Sequence, residues 1–155
     1  MKGFMVLLLI FSGFCIGSLQ ASRLRSRVRE LETFQGAVLS IKSSAAYTLG
    51  DLPTVLMHCR DNAFLALIAE KEDPVQSWSE VSRQYFTYPA DRTLAADFLS
   101  GFGKTDLAGL LSYIALYESR IERALENARQ AASAKCRLYT VLGLFTGTAA
   151  ALVLC

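Results

Sequence analysis

Two charge-free stretches of membrane-spanning length, residues 3–21 and 138–155, close the ends of this chain and constrain everything between them. Each holds about 18–19 residues, and at about 1.5 Å of rise per residue such a helix reaches close to the ~30 Å of a bilayer's hydrocarbon core. The sequence therefore predicts an N-terminal transmembrane helix over 1–21, a water-facing domain over 22–137 and a C-terminal transmembrane helix over 138–155. Among 16 Lys and Arg and 14 Asp and Glu, every residue except Lys2 falls between Arg23 and Arg137. The mean hydropathy of +0.31 is thus carried by the ends. The middle, about 115 residues long, is enough for one small core.

Arginines orient the predicted spans, because positive flanks stay on the cytoplasmic side during insertion. Arg23, Arg25, Arg27 and Arg29 follow the first stretch, and Lys135 and Arg137 precede the second. The middle domain is expected in the cytoplasm, with both termini at the far membrane face. A cleaved signal peptide is a rival reading of the first stretch: Lys2 supplies a charged start and Cys15-Ile16-Gly17 a weak cleavage pattern, but the arginines downstream oppose export. A lipoprotein reading would use Cys15, where Phe14 stands in place of a small residue. The four cysteines, Cys15, Cys59, Cys136 and Cys155, show no paired spacing and so no disulfide framework. A net charge of +2, without a basic stripe interleaved with aromatics beyond the first flank, argues against nucleic acid as a partner.

Within the domain the apolar residues recur in steps of three and four. Leu24, Val28, Leu31, Phe34, Val38, Ile41 and Ala45 mark one face of a long first helix, with Gly36 a tolerated weak point. Gly50-Asp51-Leu52-Pro53 breaks it and starts a short helix over 52–60. Asn62 caps a third over 63–71, bearing Phe64, Leu67 and Ile68. Asp73-Pro74 opens a fourth with Val75, Trp78, Val81 and Tyr85, and Tyr88-Pro89 ends it. A fifth carries Leu94, Phe98 and Leu99 and stops in Ser100-Gly101-Phe102-Gly103. Thr105 or Asp106 caps the last, whose stripe of Leu107, Leu110, Ile114, Tyr117, Ile121, Leu125, Ala128 and Ala132 runs on into the second stretch. No alternating strand pattern competes. The predicted class is all-α: a cytoplasmic bundle of about six helices, the two long terminal ones antiparallel and continuing into transmembrane spans.

Chemistry-bearing patterns are few. Gly103-Lys104-Thr105 resembles the end of a phosphate loop, but Phe98 stands where the first glycine is needed and no strand precedes it. His58 and Cys59, adjacent on a helix, point about 100° apart and cannot act as base and nucleophile. A single His and scattered Cys do not make a zinc site. Nothing points to an enzyme or a cofactor. Glu118, Glu122 and Glu126, beside Arg120, Arg123 and Arg129, read first as a solvated face laced with ion pairs and second as a surface for a basic partner or a metal. The arginines at 23, 25, 27 and 29 read as topology determinants and headgroup contacts. Trp78 and Tyr85 read as core, whereas Phe86 and Tyr88, off their stripe, are candidates for an exposed aromatic patch. Partner-binding candidates are accordingly Trp78, Tyr85, Phe86, Glu118, Glu122 and Glu126.

The ordered set of features resembles the stage III sporulation protein AB family of endospore-forming bacteria, over nearly the whole chain. It comprises the apolar start with its arginines, then Arg29, Leu31, Gln35, Ala37 and Ile41, then Tyr47 and Leu49-Gly50-Asp51-Leu52-Pro53-Thr54-Val55-Leu56. Gly103-Lys104-Thr105-Asp106 with Gly109 and Leu111 follows, and Leu142-Gly143-Leu144-Phe145-Thr146-Gly147 closes it. Lys42 and Ser44 depart from it where the family usually has acidic residues, and Leu110 where it has glutamine. The resemblance implies a non-enzymatic scaffold of the channel complex linking mother cell and forespore, in the outer forespore membrane on the mother-cell side. It further implies a cytoplasmic domain similar to the F-family platform proteins of type II secretion. Its implied partners are a cytoplasmic secretion-type ATPase, similar to stage III sporulation protein AA, and other membrane subunits. The alternatives are a platform subunit of a type II secretion or pilus-like export system outside sporulation, and an enzyme at the membrane face using Cys59 or the Glu118 row.

Overall fold

The computed structural model describes residues 2–47, 56, 61–102 and 107–154, and side-chain surroundings for 15, 17–45, 56, 61–102, 108–135, 138, 141, 142, 145 and 149. Regular structure among them is helical throughout: α1 (Lys2–Tyr47), α2 (Ala63–Ala69), α3 (Pro74–Tyr85), α4 (Pro89–Phe98), a 3-10 turn at Leu99–Gly101, and α5 (Leu107–Leu154). The helix expected over 52–60 lies outside the described residues except for Leu56, which is helical and buried. Two compact units are formed, one from 29–125 and one from 1–28 with 126–155. Among the described residues no helix is long and apolar enough to cross a membrane. The spans expected over 1–21 and 138–155 fall mostly on residues whose side chains lie outside the described ones.

The three-and-four spacing of α1 becomes the wall of the 29–125 core. Leu31, Phe34, Val38 and Ile41 are buried, joined by Ala37, and on α5 Ile114, Tyr117, Ile121 and Leu125 are buried in the same rhythm. Phe34 is the hub. Its ring meets Phe64 of α2 at 5.6 Å, Phe86 of the α3–α4 connector at 5.4 Å and Phe98 of α4 at 6.0 Å, all edge-on, with Trp78 of α3 at 6.5 Å. Edge-to-face pairs place the positive rim of one ring on the negative face of another, and each contributes about 0.5–1.5 kcal/mol beyond burial. The indole N–H of Trp78 donates to Ala95 O at 2.7 Å, so α3 is tied to α4 and the indole donor is satisfied.

Short helices need defined ends. Asn62 caps α2 by accepting from Phe64 N at 2.9 Å, while its Nδ2 donates to Thr33 O on α1 at 2.8 Å. Gly36 makes room for this, because a Cβ there would stand 3.2 Å from Asn62 Nδ2. The expected weak point in α1 is thus where α2 approaches it. Asp73 caps α3, with Pro74 in the first turn where its missing N–H costs nothing, and Pro89 opens α4 in the same way. Gly101 seats the 3-10 turn under Tyr113, whose ring a Cβ at 101 would overlap.

Three expectations of exposure are corrected by where the helices end and turn. Phe86 is fully buried: α3 stops at Tyr85 and Phe86 is extended, φ −87° and ψ 130°, so the helical phase that pointed it outward no longer applies. Leu67 and Val75, assigned to core stripes, are 44% and 40% exposed. Leu65 and Ser82 take the inward positions instead, and Ser82 Oγ is buried with no hydrogen-bond partner among the described residues.

Phe34→Ala should cost about 3–5 kcal/mol of unfolding free energy, as for a buried Phe truncation that leaves a cavity, read by urea denaturation of the chain in detergent. Ser82→Ala removes a buried hydroxyl without a partner and should leave stability unchanged or raise it by about 1 kcal/mol in the same measurement. A loss of more than that would show that Ser82 is satisfied.

Candidate functional site

The 29–125 unit is pinned by polar contacts whose partners lie far apart in sequence. Glu30, almost buried on α1, accepts from Thr87 N and Thr87 Oγ1, both at 2.8 Å. Arg92 donates from Nε to Phe86 O at 2.6 Å and from Nη2 to Thr87 O at 3.3 Å. Together these bonds hold the α3–α4 connector against α1 and keep Phe86 turned inward. Farther along α1, Lys42 Nζ reaches both oxygens of Glu118 on the other long helix, at 2.7 and 3.0 Å, across 76 residues of sequence.

The residues expected to bind a partner therefore separate. Trp78 and Phe86 are buried in the core, where the rings Phe34, Phe64 and Phe98 pack against them. Tyr85 is half-buried at the core's edge, its ring against Phe64 at 5.2 Å and Phe86 at 5.2 Å. Glu118 is held by Lys42. Glu122 and Glu126 are exposed, and Glu126 Oε1 accepts from Gln130 Nε2 at 2.8 Å. Of the flanking cations, Arg23, Arg25, Arg29 and Lys135 are exposed and Arg27 is half-buried, while the side chain of Arg137 lies outside the described residues. His58, Cys59 and Gly103-Lys104-Thr105 also lie outside them. Among the described residues no group of three or more His, Cys, Asp or Glu could hold a metal ion.

Lys42 was legible only as a departure from a pattern. Its role as the counter-charge to Glu118 depends on α1 meeting α5, which spacing within either helix does not reveal. Two further features were less legible. Beside Phe98, the rings of Tyr113 and Tyr117 lie 4.8 Å apart and tilted by 43°, and the Arg120 guanidinium lies 5.2 Å from the Tyr117 ring. Burial, followed by its hydrogen bond with Tyr113, pushes the Tyr117 phenol from 10.0 up to about 12, against the pull of Arg120. Between α2 and α3 runs an open groove of about 470 Å³, lined by Leu67, Glu70, Lys71, Val81, Gln84 and Tyr85. The sequence gives no sign of it, since Leu67, three residues after Phe64, reads as part of the core stripe.

The family model for stage III sporulation protein AB matches residues 2–155, essentially the whole chain. The chain belongs to this family. No curated protein and no solved structure matches it. Membership sets the protein in endospore formation, and the all-helical build agrees with the class expected from its apolar periodicity.

Two outcomes follow from this geometry. Lys42→Ala should cost about 0.5–1 kcal/mol, the range for a partly screened pair, and Lys42→Glu should cost more by setting two carboxylates face to face, measured by denaturant midpoints. Glu118→Lys added to Lys42→Glu should recover most of the loss. Tyr117 contributes stability that is complete below pH 10 and is lost as pH rises towards about 12, since the unfolded phenol ionises first. Tyr117→Phe should therefore flatten the alkaline fall in stability over that window.

Proposed function

We infer that the chain is a non-enzymatic membrane scaffold of the channel complex between mother cell and forespore, whose helical domain docks a cytoplasmic secretion-type ATPase. The observation that carries the membrane part is on α5. Leu138, Val141, Leu142 and Phe145 are 52%, 42%, 49% and 67% exposed and recur at helical spacing on one face. Large apolar side chains arrayed in this way are costly in water and favourable against acyl chains. Lys135 just before them, and Arg23 and Arg25 after the first apolar stretch, supply the positive flanks of a cytoplasmic domain. Family membership supports the sporulation setting.

The ATPase belongs on the exposed charged side of α5, at Glu122 and Glu126, since Trp78 and Phe86 are withdrawn into the core. The partner is assigned by analogy of fold and setting, so the test must be direct.

Deletion of the gene should arrest sporulating cells with engulfed but immature forespores, seen by microscopy; normal spores would end the sporulation reading. The full chain in lipid nanodiscs should bind the purified AA-type ATPase, and Glu122→Lys with Glu126→Lys should weaken that binding at least tenfold. Equal affinity for both chains would move the docking face elsewhere, and no binding of either would remove the ATPase as a partner.

A further inference from the structure

The groove between α2 and α3 has an apolar floor and an acidic surround. Leu67, Val81 and Tyr85 form the floor, with Glu70, Lys71 and Gln84 at its sides. Gln84 Nε2 donates to Glu80 Oε1 at 3.1 Å, which brings a second carboxylate to the rim. Across 61–85 the exposed charges are Asp61, Glu70, Glu72, Asp73 and Glu80 against Lys71 and Arg83, in a chain whose net charge is +2. The excess of positive charge therefore lies elsewhere, and its densest unmixed run is Arg23, Arg25, Arg27 and Arg29 on α1. The arginines of α5 differ in alternating with Glu118, Glu122 and Glu126.

The acidic groove and the arginine run are complementary in charge. Thr87 is bonded to Glu30, so the end of α3 that carries Gln84 and Tyr85 sits at the level of Arg29 on α1. Copies standing side by side in the same direction would present Arg29 of one at the height of the groove of the next. We propose that the α2–α3 groove receives the arginine-bearing stretch of α1, through Arg25 and Arg29, from a second copy of this chain.

The chemistry suits arginine in particular. Its aliphatic stem covers apolar floor such as Leu67, and its planar head both stacks on a Tyr ring and forks onto carboxylates such as Glu70 and Glu80. Arg25 and Arg29 stand four residues apart on one helix, so their Cβ atoms fall on one face about 6 Å apart. Each copy uses one patch as donor and another as acceptor. Such head-to-tail contacts close into rings or extend into filaments instead of stopping at a two-fold dimer. The proposal is independent of which partner the Glu122 face binds.

The test uses the full chain in detergent, followed by sedimentation at low and high salt. Wild type should form oligomers that dissociate as salt rises. Glu70→Arg with Glu80→Arg should be monomeric, as should Arg25→Glu with Arg29→Glu; all four positions are exposed, so circular dichroism should be unchanged. Mixing the two reversed chains should restore oligomers, because each then offers the other a complementary patch. A wild-type monomer at every salt, oligomers that survive both reversals, or reversed chains that stay apart on mixing would each overturn the proposal.

Discussion

Burial of Phe34 is the contact on which the rest of the 29–125 unit depends. One ring on α1 is met by rings from α2, α3, the α3–α4 connector and α4. Helices as short as α2, with seven residues, have no stability of their own in water, so they exist because their apolar faces close over this ring. The polar pins then choose one arrangement among the many that would bury the same area. Asn62 on Thr33, Thr87 on Glu30, Trp78 on Ala95 and Lys42 on Glu118 each join segments far apart in sequence.

The long helices and their buried faces were legible because the three-and-four rhythm of α1 and α5 is sustained over many turns. Phe34, Val38 and Ile41, with Ile114, Tyr117 and Ile121, lie where that rhythm puts them. Helix starts were legible where the capping chemistry is local, at Asn62 and at Asp73-Pro74. Periodicity failed at the ends of short helices. Phe86 looked exposed on a helical wheel and is buried because the wheel had already stopped, and Leu67 looked buried and lines the open groove. Contacts between distant segments left almost no trace in the sequence: Lys42 marked only a departure from a resemblance, and Gly36 looked like a flaw until Asn62 arrived beside it.

The candidate surface narrows for the same reason. Aromatic residues draw the eye as partner contacts, but a domain of this size needs its large rings for its own core, and Trp78 and Phe86 are spent there. What remains outside is charge and a few leucines: Glu122 and Glu126 on α5, the acidic rim of the α2–α3 groove, and the arginines of α1.

We infer a helical domain on the cytoplasmic side, rooted by two apolar ends in one membrane. A membrane-impermeant maleimide tests it on two chains, each carrying a single cysteine and expressed in whole cells. Glu72→Cys, in the exposed turn between α2 and α3, should be protected in intact cells and labelled once the membrane is opened, while the native Cys155 alone should be labelled in intact cells. Labelling of Glu72→Cys in intact cells, or protection of Cys155, would contradict the account.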